Sequence, residues 1–349
     1  MNSRPSLRAR HARLACAALA LWSCARGEPP SVVAPPEPAK GAQAGPSGAR
    51  LASGALPGRS DPACVGPFEA AQARLSLRAA TGELKLGILA GLKDSDDDNL
   101  SHLRALTAQL VRRGANALVA AGDLGDNSDA QAALLGVLTS TGLPVLAVAG
   151  NRESRGELDA VEAELRKRGA RLADLSHTRI VDLGDAVVVG LPGTFDKRQL
   201  RADGACAYVK RDVDAVAAAL DRLAAGAAPS ILVAAVPPRG DGPLALDVSE
   251  GHNVGDPHLV PLLSPKRAPF GIFGQVWEAG GRAVDGRGKP VPPGQLSDQL
   301  YLNPGAADRT PWPLSGGGTQ AGSAALLTVR GRKAEVEFLH AEAEAPRPP

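Results

Sequence analysis

The feature that most constrains the fold is a regular alternation of short apolar runs with longer amphipathic segments. The apolar runs have the length of buried β-strands and lie at residues 84–90, 117–121, 144–149, 179–183, 186–191, 230–235, 270–273, 299–303, 324–329 and 334–338. Helices are predicted at residues 130–138, 156–168 and 212–223, and on the face that carries Leu103, Leu106 and Leu110. Parallel β-α units followed by further strands predict one α/β domain, with two stacked mixed β-sheets flanked by helices as an α/β/β/α sandwich.

The N-terminus has the features of an export signal. Four arginines within residues 4–13 precede the apolar run 14–22, which is too short to span a bilayer. The run ends in Leu21-Trp22-Ser23-Cys24, which resembles a bacterial lipobox and would make Cys24 the lipidated first residue of the mature chain. An ordinarily cleaved secreted protein and an unprocessed cytoplasmic leader are the alternatives.

Composition divides the rest of the chain. Residues 24–62 are rich in Pro, Gly and Ala and hold almost no large apolar side chain, which is typical of a flexible tether. We therefore predict a signal peptide at residues 1–23, a tether at 24–62, the α/β domain at 63–340 and a disordered tail at 341–349. The predicted location is the cell envelope, where the N-terminal lipid would attach the protein to a membrane.

The cysteines fit an exported protein. Cys16 lies in the signal peptide and Cys24 would carry the lipid, which leaves Cys64 and Cys206. In an oxidising compartment these two residues are a candidate disulfide pair. Two independent buried thiols are the equally weighted alternative.

Charge and aromatic content argue against nucleic acid as a partner. The chain has 39 basic and 37 acidic residues, for a formal net charge of +2, and only 3% of its residues are aromatic. It therefore lacks both the strong positive charge that attracts a phosphate backbone and the aromatic side chains that stack on bases.

Short motifs with glycine, proline and polar residues follow the predicted strands, at the edge where open α/β sheets bind their ligands. In chain order these motifs are Gly122-Asp123-Leu124-Gly125-Asp126, Gly150-Asn151-Arg152-Glu153, Pro237-Pro238, Gly274-Gln275-Val276-Trp277 and Asn303-Pro304-Gly305. Their order resembles that of the calcineurin-like metallophosphoesterases over residues 84–340. The resemblance implies that family's fold and a site for two divalent metal ions.

The resemblance also implies that most of the metal site is lost. Asp123 matches the family's bridging aspartate and Asn151 its metal-binding asparagine. At the other six positions this chain has residues that differ from the family's aspartate and histidines, namely Gly91, Lys93, Arg152, Ala235, Gln275 and Trp277. Two retained donors are fewer than the three that hold even one catalytic ion. We therefore expect no cofactor.

Lys93 and Arg152 are expected to compensate for the missing metals. Without the two dications Asp123 would be an unpaired buried charge, and two neighbouring cations would neutralise it. The same cations, with the backbone amides of the turns at Gly122 and Gly150, could hold a small anion such as phosphate. In the alternative, both cations point into solvent and the cleft is empty.

Three further groups are weaker candidates. Residues 94–99 resemble the start of an EF-hand loop, but Asn99 and Ala105 replace the glycine and glutamate of that motif; a solvated loop with Asn99 as a helix cap is the alternative. His252, Asp256 and His258 are metal-capable or ordinary loop residues. His102 and His177 lack partners nearby in sequence and are interpreted as surface or core-edge residues.

The function predicted from these observations is that of a non-catalytic envelope lipoprotein with a binding or structural role. Its partners would be the membrane and an unidentified protein or small anionic ligand. The competing hypothesis is an active phosphoesterase hydrolase with a rebuilt site, in which Asp123, Asn151, His252 and His258 bind one Mn, Fe or Zn ion.

Overall fold

The computed structural model describes residues 72–74 and 82–341, and most of their strands belong to two large β-sheets. In chain order the strands are β1 (Gln72–Arg74), β2 (Leu84–Leu89), β3 (Ala117–Ala121), β4 (Val145–Val148), β5 (Leu172–Asp174), β6 (Ile180–Asp182), β7 (Val187–Leu191), β8 (Ser230–Ala234), β9 (Val248–Ser249), β10 (His252–Asn253), β11 (Phe270–Phe273), β12 (Arg282–Val284), β13 (Leu300–Asn303), β14 (Trp312–Pro313), β15 (Thr319–Gln320), β16 (Ser323–Arg330) and β17 (Lys333–His340).

The first sheet has the strand order β1-β6-β7-β8-β11-β13-β12 and the second the order β17-β16-β2-β3-β4-β5. In the second sheet β2, β3, β4 and β5 run parallel, and β16 pairs antiparallel with both β2 and β17. In the first sheet β7, β8, β11 and β13 run parallel. β9 with β10 and β14 with β15 form small antiparallel ribbons outside the two sheets.

The described α-helices are α1 (Asp97–Arg112), α2 (Ser128–Thr139), α3 (Arg155–Lys167) and α4 (Lys210–Leu223). Short 3-10 turns occupy Lys197–Gln199, Pro257–Leu262 and Trp277–Ala279. The Asp96 side chain starts α1 by accepting a hydrogen bond from the amide of Asn99 at 2.9 Å. Asn127 starts α2 in the same way, through the amide of Ala130.

Three apolar layers hold these elements together. Between the sheets, Leu86 and Ile88 of β2 pack in one core with Ile231 of β8 and Ile272 of β11. A second core joins the outer face of the six-stranded sheet to α1, α2 and α3, and a third joins the seven-stranded sheet to α4. The layers therefore follow the order α/β/β/α, and the predicted fold class is confirmed.

The predicted elements agree with the structure to within a few residues at each end. The run 117–121 and the run 270–273 match β3 and β11 residue for residue. Sequence periodicity missed the three-residue strands β1, β5 and β12, because so short a segment carries no recognisable pattern.

Several predictions concern other parts of the chain. The signal peptide, the lipidation site Cys24, the tether, Cys64 and nearly all of the C-terminal tail lie outside the described residues. Within the described part, none of the helices is long and apolar enough to cross a membrane.

Candidate functional site

The site lies where the carboxyl ends of the parallel strands of both sheets meet. A Cβ added at Gly122, after β3, would lie 2.8 Å from the Cβ of Ala235, after β8. The amide of Gly274, after β11, donates to the carbonyl of Ala235 at 2.9 Å. The sequence motifs that follow separate strands are therefore in direct contact, as the strand-end rule predicts.

The backbone is strained at this edge. Four described residues other than glycine have a clearly positive φ, and three of them, Lys93 (55°), Asp123 (54°) and Gln275 (58°), follow the strands that form the site. Such conformations are costly for non-glycine residues and persist at functional sites because the surrounding structure enforces them. Positive φ values at three such positions are typical of a functional site.

The side chain of Lys93 fills one half of the site. Its Nζ lies 3.1 Å from the ring centroid of Trp277 and 3.2 Å from that of Trp312. The same Nζ lies 3.5 Å from Oδ2 of Asp308, which is almost fully buried. Two aromatic faces and a carboxylate are favourable surroundings for an ammonium group. We call Lys93, Trp277, Trp312 and Asp308 the Lys93 cage.

Burial governs the ionisation of the cage. Desolvation lowers the pKa of Lys93 to about 8, against the attraction of Asp308 and Asp123, which raises it. Desolvation raises the pKa of Asp308, and the charge of Lys93 and a hydrogen bond from the indole N–H of Trp312, at 3.0 Å, oppose that rise. At neutral pH the ammonium form of Lys93 prevails.

Asp123 is buried and lacks a hydrogen-bond donor. Neither of its carboxylate oxygens has a hydrogen-bond partner among the described residues, although the indole of Trp277 is close enough to lower its pKa slightly. Burial is the largest effect and raises the pKa of Asp123 to about 6, while the charges of Arg152 and Lys93 lower it. Both predicted cations therefore act on Asp123 through space.

The direct ion pairs differ from the predicted ones. Arg152 forms a bidentate pair with Asp126, at 2.7 and 2.8 Å, and Lys93 pairs with Asp308. The two additional carboxylates reverse the expected charge balance. With Asp123, three carboxylates face the two cations, a formal excess of one negative charge.

The turn at Gly150, predicted to bind an anion, already binds one from the protein itself. The Glu153 carboxylate accepts hydrogen bonds from the amides of Gly150 at 2.6 Å and Leu124 at 2.5 Å. Desolvation and the neighbouring Asp123 raise the pKa of Glu153 to about 8, against these hydrogen bonds. The amide of Gly150 is thus not available to an external phosphate. The predicted anion pocket of Lys93, Arg152, Gly122 and Gly150 therefore lacks one of its donors.

Asn151 and Gln275, which we call the amide pair, form the other half of the site. The side-chain NH₂ of Asn151 donates to the main-chain carbonyl of Gln199 at 2.6 Å, and that of Gln275 donates to Oε1 of Gln199 at 3.0 Å. Since Gln199 offers only acceptors to them, both amides turn their oxygens away from it. Those oxygens, Oδ1 of Asn151 and Oε1 of Gln275, are buried and have no hydrogen-bond partner among the described residues.

The residues present do not fit the family's pair of transition-metal ions. An added Cβ at Gly91 would lie 3.0 Å from Nε1 of Trp277, at a φ of +59°, so an aspartate at this position would crowd the indole. Lys93 brings a cation beside Trp277, and Ala235 provides no ligand atom. At these positions the chain therefore offers a dinuclear centre none of its nitrogen ligands.

The histidines of the rebuilt-site hypothesis lie elsewhere. His252 and His258 are exposed, and in the described part of the chain they form no group of metal-capable side chains with Asp123. The Asp256 carboxylate accepts hydrogen bonds from the hydroxyl of Tyr208 and the amide of His258, both at 2.8 Å. Asp256 thus caps a 3-10 turn, and the alternative metal site is not assembled.

The EF-hand hypothesis is also wrong, because α1 begins at Asp97 and occupies most of the supposed loop. Asp96, not Asn99, caps that helix. Asn99 is buried, donates to the carbonyl of Leu92 at 3.0 Å and accepts from the amide of Arg309 at 2.9 Å. It fastens the chain after Lys93 to the segment beyond β13.

The remaining candidates also have partners. Nε2 of His177 lies 2.9 Å from Oδ1 of Asp159 and 3.8 Å from Oδ2 of Asp174, and His102 is engaged as well. Asp159, Asp174 and His177 are the described group with metal-ligand spacing, but Arg155 already bonds both carboxylates, at 2.5 and 2.6 Å. Cys206 is disulfide-bonded; the pairing with Cys64 stays a prediction.

Sequence reasoning missed three residues of the site. Asp308 and Trp312 follow the Asn-Pro-Gly motif within ten residues, and their proximity to that motif was the available signal. Gln199 lies in a loop between β7 and α4, far from any motif, and only the tertiary structure brings it to the amide pair.

Comparisons with known proteins concern the fold. No protein-family model matches the sequence, and no curated protein matches it. One solved structure covers 74% of this chain and 100% of its own, with 14% identity and a TM-score of 0.55. The fold is metallophosphoesterase-like. A dimetal phosphatase from Danio rerio covers 74% of this chain and 99% of its own at 14% identity and a TM-score of 0.46.

A purple acid phosphatase from yellow lupin seeds covers 74% of this chain and 52% of its own, at 10% identity and a TM-score of 0.43. At such identities the likeness concerns the fold alone. On this metallophosphoesterase-like fold, function must be argued from the side chains at the strand ends.

Proposed function

We propose that this protein is a non-catalytic binding or structural protein built on a metallophosphoesterase-like fold. The observation that carries the proposal is the Lys93 cage. An ammonium group held between two tryptophan rings and beside a buried carboxylate occupies the half of the site where Gly91 and Trp277 replace metal-binding residues of the family's motifs.

The chemistry of phosphoester hydrolysis supports this proposal. Metal ions in such sites generate a hydroxide and stabilise the charge that develops on the phosphoryl oxygens. Lysine and arginine generate no hydroxide, and Arg152, at the position of the family's general acid, stays protonated because its ion pair with Asp126 raises its pKa further. Neither the nucleophile nor the proton donor of the family's reaction has a counterpart.

The test is hydrolysis together with metal content. Full-length protein in detergent should contain no stoichiometric Mn, Fe or Zn. With any of these ions added it should hydrolyse p-nitrophenyl phosphate and bis-p-nitrophenyl phosphate no faster than its Asp123→Asn variant. Hydrolysis that the Asp123→Asn substitution abolishes would refute the proposal.

The balance of charges around Asp123 argues against an anionic ligand. The formal excess of negative charge around Asp123, and the capture of the Gly150 amide by Glu153, do not support the predicted binding of phosphate. The proposed function therefore does not include oxyanion binding.

We also propose that the protein is anchored in the cell envelope through a lipid on Cys24. The support is the basic segment, the short apolar run and the lipobox-like sequence that ends at Cys24. In a membrane fractionation, Cys24→Ser should release the protein in soluble form, and mass spectrometry should find the lipid on Cys24 of the unmodified chain. Membrane association that the substitution leaves unchanged would exclude Cys24 as the anchor.

A further inference from the structure

The half of the site opposite the Lys93 cage is rich in oxygens that have no donor. Both carboxylate oxygens of Asp123, Oδ1 of Asn151 and Oε1 of Gln275 are buried without a hydrogen-bond partner among the described residues. Buried polar atoms normally have partners, and each orphan costs about 1–3 kcal/mol. Four orphan acceptors at one strand-end edge require a donor or a cation.

The contacts bring these three residues together. Gly122, which precedes Asp123, lies against Gly150, which precedes Asn151: an added Cβ at Gly122 would be 3.6 Å from the Cα of Gly150. Gly274, which precedes Gln275, is hydrogen-bonded to Ala235, and Ala235 in turn touches Gly122. The ends of β3, β4 and β11 thus place Asp123, Asn151 and Gln275 at one edge of the fold.

Gln199 fixes the orientation of both amides. Because it accepts one hydrogen bond from each NH₂ group, the flipped orientation of Asn151 or Gln275 would set oxygen against oxygen. Thr194 donates to the same Oε1 of Gln199 at 3.1 Å and holds it in place. Gln199 is therefore a positioning residue that directs two amide oxygens away from itself.

From this disagreement with the family's metal centre we infer that Asp123, Asn151 and Gln275 form an oxygen-only site for a single hard divalent cation, with Ca²⁺ preferred. Carboxylate and amide oxygens are the ligands of hard cations, and Ca²⁺ accepts bidentate carboxylates and irregular geometry more readily than Mg²⁺. Zn²⁺ and Fe²⁺ favour the imidazole donors that Ala235 and Gln275 do not provide.

Electrostatics permits one ion and not two. The carboxylates of Asp123, Asp126 and Asp308 exceed the cations Lys93 and Arg152 by one charge, which favours a bound cation over an anion. Lys93 already carries the positive charge of the other half and repels a second ion there. The site would thus be mononuclear, with water completing the coordination.

Terbium luminescence tests the inference. Full-length protein in detergent, freed of metal with EDTA, is titrated with Tb³⁺ while tryptophan is excited, because Trp277 lies beside Asp123 and would transfer energy to a bound ion. We expect one Tb³⁺ per chain, displaced by Ca²⁺ at lower concentration than by Mg²⁺ or Zn²⁺. Asp123→Asn and Gln275→Leu should each weaken Ca²⁺ binding at least tenfold, and Gln199→Leu severalfold.

Asp97→Asn is the matched control, because Asp97 is an exposed carboxylate in the acidic segment near the same edge. It should change the Ca²⁺ dissociation constant less than twofold. The inference is overturned by the absence of saturable binding, by binding that survives Asp123→Asn, by a loss in Asp97→Asn equal to that in Asp123→Asn, or by tighter binding of Zn²⁺ than of Ca²⁺. Asparagine tolerates the positive φ of Asp123, and circular dichroism checks that each variant is folded. Hydrolysis assays decide the proposed function separately.

Discussion

In the Lys93 cage each charged group faces a partner, whereas the oxygens of the amide pair, in the other half of the same site, face none. Lys93 meets two indole rings and the carboxylate of Asp308. Asn151 and Gln275 use their NH₂ groups on Gln199 and leave their oxygens buried and unpaired. The first half is filled by the protein's own cation, and the second has acceptor oxygens that lack a partner among the described residues.

The difference shows two physical properties that side chains other than the family's metal ligands give to such a site. The ammonium of Lys93 is covalently attached and cannot dissociate from the site, so this half is part of the folded core. The amide of Gln275 offers an oxygen donor where the family's motif has a nitrogen donor, and this difference changes which ions can bind. The predictions that follow test this contrast, in order of decreasing effect.

The largest effect is expected from removing the caged ammonium. Lys93→Met should lower the free energy of unfolding by about 3–4 kcal/mol, because it leaves the buried Asp308 unpaired and ends both cation–π contacts. Lys85→Met is the control: Lys85 pairs with Glu83 at the surface, and its loss should cost less than about 1 kcal/mol. Urea denaturation measures both, and equal losses would show that the cage contributes no more than a surface pair.

The pH dependence of stability should carry the signature of the cage. The pKa of Lys93 is about 8 in the folded protein and about 10.5 when the chain is unfolded. Between these values the unfolded state binds more protons, so the free energy of unfolding should rise with pH, by about 2–3 kcal/mol in all. Denaturation at a series of pH values should show this rise in the unmodified protein and not in Lys93→Met. Parallel curves for the two proteins would contradict it.

Two side-chain amides, Asn303 in the core and Gln275 in the site, should differ in what they contribute to stability. Asn303 donates to the carbonyls of Leu246 and Val276 and accepts from the amide of Gly305, so Asn303→Leu should cost about 2–3 kcal/mol. Gln275→Leu removes one hydrogen bond and one orphan oxygen together and should cost less than about 1 kcal/mol without added metal. Denaturation in EDTA measures both, and a large loss in Gln275→Leu would mean that its oxygen has a partner.

The smallest effect is expected for the exposed ion pair between Arg152 and Asp126. Arg152 and Asp126 form a well-aligned bidentate pair, but the Asp126 side chain is 56% exposed. A double-mutant cycle with Arg152→Met and Asp126→Asn should therefore give a coupling energy below about 1 kcal/mol. The same cycle with Asp123 in place of Asp126 should give a smaller value still, because Arg152 does not bond to Asp123. A larger coupling to Asp123 would restore the ion pair predicted from the sequence.

Much of the fold could be predicted from the sequence, because hydrophobic periodicity is a local property. The runs that became β3 and β11 are bounded by glycine motifs and contain only residues that suit a buried strand. The order of motifs after the strands predicted which residues share the site. The prediction that Gly91, Lys93 and Trp277 leave a metal without ligands stays a prediction.

The partners within the site could not be predicted in the same way. From the sequence, Lys93 and Arg152 were both assigned to Asp123, and the positive charge that this implied suggested an anion as ligand. The structure pairs them with Asp308 and Asp126 and places Glu153 on the Gly150 amide. Which carboxylate pairs with a given lysine or arginine depends on distances of a few ångströms. Sequence spacing carries no information on such distances.

The sequence by itself thus determined the layers, the strand ends and the residue types at the motif positions, because these depend on residue type and local order. Only the tertiary structure decided that a lysine fills one half of the site and that Gln199 turns two amide oxygens away from itself. Those arrangements depend on contacts between segments far apart in the chain: Lys93 with Trp312, and Asn151 and Gln275 with Gln199. Packing of the two sheets, and not any local pattern, brings these segments together.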